Sequence, residues 1–160
     1  MGSRRQARER AVQFLFQFDM NPEKNLKAAL EHFWLHQRLE VIELLEGKSS
    51  WGEQKKLPPP TVGDLTIQQF AEPMVYGVIE NCDSIDRELS NLATNWELHR
   101  MAGVDRNILR LAVYEMLHRE DIPPVVSINE AVDIAKKFST DDSGKFVNGI
   151  READGRKGYL

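Results

Sequence analysis

The sequence predicts an all-α domain of about seven helices, and three observations carry that expectation. Apolar residues recur three and four apart over most of the chain, the period of a helix with one buried face. Capping residues and prolines cut this pattern into helix-length pieces. Strand signals are almost absent, with Pro124-Val125-Val126 as the one short extended candidate.

The first helix is expected over residues 4–20, where Ala11, Leu15 and Phe18 form a stripe with Val12 and Phe14 beside it. Asn21-Pro22-Glu23 then reads as an N-cap, a proline at the first helical position and an acid in the first turn. A second helix should run from there to about Glu46, its apolar face made by Leu26, Leu30, Phe33, Trp34, Val41 and Leu45. Gly47 marks its end. Residues 47–63, bracketed by Gly47-Lys48-Ser49-Ser50 and Pro58-Pro59-Pro60, read as an exposed linker or insertion that carries Trp51.

Thr66 and Gln69 form a capping-box pair, with Leu65 and Phe70 spaced as a hydrophobic staple, so a third helix is expected from there to about Asn81. Helices over Ser84 to about Asn95 and Val104 to about Arg119 follow. The latter is very apolar, through Ile108, Leu109, Leu111, Ala112, Val113, Met116 and Leu117, and should be the central core helix. Asp121-Ile122-Pro123-Pro124 stops it, because proline cannot continue the hydrogen-bond ladder. Ser127 and Glu130 make a second capping box, after which Ile128, Val132 and Ala135 recur at helical spacing up to Phe138. A last helix is expected to open near Thr140.

With 160 residues, 41% of them apolar and 29% charged, the chain can bury one core without disulfides or metals. Cys82 is the single cysteine, which excludes an internal disulfide and a cysteine-based zinc cluster and fits a cytoplasmic setting. No apolar run approaches the ~18 residues of a membrane span. Gln13 and Gln17 interrupt the first apolar stretch, unlike a signal peptide. The net charge of −4 is unevenly spread: both ends are basic, and residues 11–135 are acidic.

Each possible start of an enzymatic or metal site lacks a part. His32 and His36 sit four apart on a helix, but a zincin needs glutamate after the first histidine and Phe33 stands there. Gly144-Lys145 resembles the end of a phosphate loop, yet Ser139 occupies the position of the required glycine and Phe146 follows the lysine. Cys82 adjoins Asp83, whose charge opposes thiolate formation. Arg4, Arg5 and Arg8 cluster on neighbouring helical positions, and guanidinium groups bind phosphates bidentately and stack on bases, which suits single-stranded RNA. An isolated basic run also reads as a solvated terminus, and composition leaves the two open.

Beyond composition, the block Val104-Asp105-Arg106-Asn107-Ile108-Leu109-Arg110-Leu111-Ala112-Val113-Tyr114-Glu115-Met116-Leu117 closely resembles the core helix of the NusB family of bacterial transcription antitermination factors. Ile122-Pro123, Ile128-Asn129-Glu130-Ala131-Val132, Ala135-Lys136-Lys137-Phe138 and Lys145-Phe146-Val147-Asn148-Gly149-Ile150 continue the resemblance in order. At the front, Arg8-Glu9, Ala11-Val12-Gln13 and Phe14-Leu15-Phe16-Gln17-Phe18-Asp19 look like that family's opening helix. The match covers about residues 4–45 and 65–150.

The resemblance implies two small helical bundles packed together in one domain, 1–160, with subdomains at about 4–82 and 83–154. It implies no catalysis and no cofactor. It also implies pairing with ribosomal protein NusE, binding of the boxA element of nascent RNA, and action on RNA polymerase in an antitermination complex with other Nus factors. By position, Arg4, Arg5 and Arg8 match the family's arginine-rich segment, and Lys145 and Phe146 match the motif near its last helix; with Asn148 these are the expected RNA contacts, although Asn148 also reads as a residue that caps or orients that loop and Phe146 equally as a core residue at helical spacing. Phe16, where relatives usually carry tyrosine, and Asp105 map to the surface facing NusE. Some members dimerise and mask the RNA face, which leaves a homodimer open.

The chain departs from the family's pattern in two places. Residues 47–63 are longer and richer in proline, and Arg151-Glu152-Ala153-Asp154-Gly155-Arg156 is polar where the family continues with an apolar residue. Two other functions stay open at this point. A NusB-like domain precedes the catalytic domain of certain ribosomal RNA cytosine methyltransferases, although no glycine-rich cofactor loop is seen in these residues. The other is a helical protein-interaction scaffold without RNA binding.

Overall fold

The computed structural model describes residues 2–46, 59–92 and 100–138. Among them the backbone forms six helices and no strand: α1 (Gly2–Met20), α2 (Leu26–Glu46), α3 (Val62–Glu80), α4 (Cys82–Leu92), α5 (Gly103–His118) and α6 (Pro124–Phe138). The expected helix near Thr140, Trp51 and most of the 47–63 segment lie outside the described residues.

Local chemistry moves three helix starts from their expected positions. α2 begins at Leu26 rather than beside Pro22, because Asn25 is the N-cap: its side-chain oxygen accepts from the Ala28 N–H at 3.1 Å. α3 begins at Val62, four residues before Thr66. Thr61 accepts from the Asp64 N–H while the Asp64 carboxylate accepts from the Thr61 N–H, a reciprocal capping box with aspartate in the glutamate's place. Thr66 instead turns its hydroxyl back onto the Val62 carbonyl.

α6 starts at Pro124, so the extended candidate Pro124-Val125-Val126 is its first turn. Proline suits that position, since its missing N–H has no partner to lose there, and the Pro123 carbonyl accepts from Val126 at 2.9 Å. Ser127 and Glu130 do not form the expected capping box. Both side chains are taken by other helices: Ser127 donates to Glu115, and Glu130 accepts from Arg5.

As expected, α5 is the central helix, packed against α1, α3, α4 and α6. Ile108, Leu109, Leu111, Ala112 and Val113 are buried along it. Val12 and Leu15 of α1, Met74 and Val78 of α3, Ile85 and Leu89 of α4, and Ile134 of α6 complete one apolar cluster. α2 joins it through Leu30 and Phe33, whose ring meets Phe14 edge-on at 5.5 Å, and through Trp34, whose indole N–H donates to Glu72 of α3.

α3 and α5 approach closely at Gly77. A Cβ there would fall on the Tyr114 ring, so glycine is what admits the tyrosine.

Candidate nucleic-acid interface

The N-terminal turns of α1 carry the arginines that the sequence singles out, and helical phase gives each a different fate. Arg4 is exposed, its guanidinium carbon 5.2 Å from the centre of the Phe70 ring on α3. Arg5 is about half in solvent and forms a fork with α6: Nε and Nη2 donate to the two Glu130 oxygens at 2.9 and 3.1 Å, and Nη2 donates to Asp133 at 2.8 Å.

Arg8 differs from the expected solvent-facing phosphate contact. It is 3% exposed, on the same stripe as Val12 and Leu15, and gives three hydrogen bonds of 2.7 to 3.1 Å to Glu115 of α5. Glu115 is 1% exposed and also accepts from the Ser127 hydroxyl at 3.2 Å. Arg8 therefore ties α1 to α5 and, through Ser127, to α6. Its charge is spent inside the protein and supports the arginines ahead of it.

Sequence reasoning missed two members of this face. The guanidinium carbon of Arg119, just past α5, lies 5.5 Å from the Phe70 ring centre, so Arg4, Arg8 and Arg119 all gather around that ring. Arg119 is also held by Asp121 through two 2.9 Å bonds. Phe70 reads in the sequence as a staple residue, and nothing local links it to positions 4 and 119.

The carboxylates follow the charges beside them. The hydrogen bond from Arg5, then its charge, hold Glu130 below its ordinary value against the opposing pull of burial. The bond from Arg119 likewise lowers Asp121. Burial alone would raise Asp19 at the end of α1, but hydrogen bonds and charge from Arg106, Arg110 and Asn107 outweigh it, and the carboxyl lies below its ordinary 3.8. Burial pushes the Cys82 thiol up, away from nucleophilic use.

The expected partner-facing residues are both near the start of α5. Phe16 is half-buried, and its ring lies on Gly103, where a Cβ would come within 2.8 Å of it. Asp105, in the first turn of α5, is buried at 5% exposure rather than lying on the surface. Beside Phe16, α1 and α2 enclose an open groove of about 640 Å³ with Phe14, Phe18 and Phe33 in its lining and Glu23 and Glu40 as its charged members. His32 and His36 line it too. Among the described residues no group of three or more potential ligands is arranged for a metal ion, and no helix is long and apolar enough to cross a membrane. Lys145, Phe146 and Asn148 lie outside the described residues.

Comparisons with known proteins agree with this architecture. The transcription antitermination protein NusB of Chloroherpeton thalassium is 40% identical over 94% of this chain, which spans 60% of that relative's length. The solved structure of T. maritima NusB superposes with a TM-score of 0.66 at 32% identity, covering 98% of this chain and 97% of that one. A protein chain in the crystal structure of a plectonemic RNA supercoil is similar as well, with a TM-score of 0.68 at 25% identity over 99% of this chain and 97% of its own. The model of the NusB family matches residues 5–152, and with Arg5, Arg8 and the whole of central α5 inside that span, the chain belongs to the NusB family.

Proposed function

We propose that this chain is a non-catalytic RNA-binding adaptor in transcription antitermination. The observation that carries this reading is the α1 terminus, where Arg4 and Arg5 reach solvent from a helix anchored in the core by the Arg8–Glu115 pair. Pre-positioned guanidinium groups on a rigid helix lose little freedom on meeting phosphate. The antitermination relatives and the RNA-containing structural neighbour support the same reading.

The RNA proposed is a boxA-type single strand in nascent transcripts, met by Arg4, Arg5, Lys145, Phe146 and Asn148. Arg8 contributes by fixing α1 rather than by touching phosphate. Ribosomal protein NusE is the proposed partner, seated at the Phe16 side of α1, and the pair would act in the cytoplasm with RNA polymerase and other Nus factors. A basic partner suits the acidic middle of the chain.

The test is binding of the chain with NusE to fluorescent boxA RNA and to a scrambled oligomer over a range of salt. Preference for boxA, with affinity falling as salt rises, is expected. Equal affinity for both oligomers would leave a protein scaffold as the better reading.

A further inference from the structure

We infer that Asp133 restrains RNA binding by occupying half of the fork with which Arg5 would grip a phosphate, an inference that rests on the RNA-binding reading above. Arginine offers two two-pronged faces, one from Nε and Nη2, the other from Nη1 and Nη2. In this structure Glu130 takes the first face whole, at 2.9 and 3.1 Å. Asp133 then takes the remaining Nη2 hydrogen at 2.8 Å. Of the second face, the Nη1 prong is the one that neither carboxylate uses. A phosphate arriving at Arg5 meets one prong and a group of charges in which two carboxylates outweigh one guanidinium.

The two acids have different roles. The Glu130 side chain is 18% exposed, bidentate and in reach of the field of Arg8, which makes it the positioning residue that aims Arg5 from α6. The Asp133 side chain is 43% exposed and makes a single bond to a guanidinium that Glu130 already holds. Orientation survives without Asp133; the second fork becomes complete without it. Glu9, paired with Lys137 at 3.0 Å, adds its charge to the acidic surroundings of Arg5 but takes none of the hydrogen bonds that Glu130 and Asp133 receive from it.

The test compares RNA affinity of the chain with NusE in wild type, Asp133→Ala, Arg5→Ala and the double variant, using the boxA oligomer. Asp133→Ala is expected to bind about two- to fivefold more tightly, the scale of one partly exposed charge pair. Its log-affinity against log-salt line should steepen by about 0.7, one further phosphate neutralised on a single strand. In the Arg5→Ala background the gain should vanish. Asp133→Asn, which removes charge but keeps an acceptor on the fork, should gain less than alanine, and it serves as the test if the alanine variant does not fold. Unchanged or weaker binding by both Asp133 variants overturns the inference, as does a gain that persists without Arg5. No boxA preference in wild type removes the RNA-binding reading itself, and this inference with it.

Discussion

Replacing Arg8 with methionine should damage the fold more than any loss of an exposed RNA contact could. The change leaves Glu115 at 1% exposure with the Ser127 hydroxyl, 3.2 Å away, as the one donor remaining from the described set. Removing one member of a buried ion pair costs about 3–5 kcal/mol, because the other charge stays behind without compensation. A domain with a total stability of about 5–15 kcal/mol loses a large fraction of it. Urea unfolding followed by far-ultraviolet circular dichroism would measure the loss. The double variant Arg8→Met with Glu115→Leu should recover most of it, since an apolar pair of similar volume removes the stranded charge. A single-variant loss below about 1 kcal/mol, the range of exposed pairs, would refute the reasoning. A double variant no better than the single would show that packing, not the stranded carboxylate, sets the cost. RNA affinity of Arg8→Met should fall as the anchoring of α1 loosens, while the slope of log-affinity against log-salt stays unchanged because no phosphate contact is removed.

Gly77→Ala places a methyl group on the Tyr114 ring and should destabilise by about 1–3 kcal/mol in the same urea assay, with recovery when Tyr114 is also shortened to leucine. Asp19, whose carboxyl lies below its ordinary value, contributes stability that is present above that value and lost as pH falls through the lowered one. The melting-temperature difference between wild type and Asp19→Asn should therefore be largest near neutrality and shrink as pH drops from about 5 towards 3. A difference that stays constant over that range would remove the Arg106 and Arg110 contacts as its cause.

Much of the architecture is legible in the chain. The central place of α5 follows from its run of apolar residues, and the stop after it follows from Pro123 and Pro124. Helix starts are less legible because several residues near each boundary can cap. Thr61 and Thr66 both offer a hydroxyl followed three residues on by a side chain that can return the bond, and the first acts as the N-cap. Ser127 and Glu130 have capping-box spacing, but a buried Glu115 and the Arg5 guanidinium are stronger partners than their own backbone.

The site divides along the same line. Sequence by itself determined an all-helical chain, the family resemblance and the clustering of arginines at the start of α1, because periodicity and composition are local properties. The 3–4 spacing also held a hint about Arg8, four residues before Val12 and seven before Leu15, although its charge argued for solvent. What the tertiary structure decided was which arginines keep their charge for a ligand. Glu115, Glu130 and Asp133 lie 107 to 128 residues away from the arginines they meet. Packing α1 against α5 and α6 turns Arg8 into an internal tie, leaves Arg4 exposed on Phe70, and gives Arg5 two carboxylates to answer.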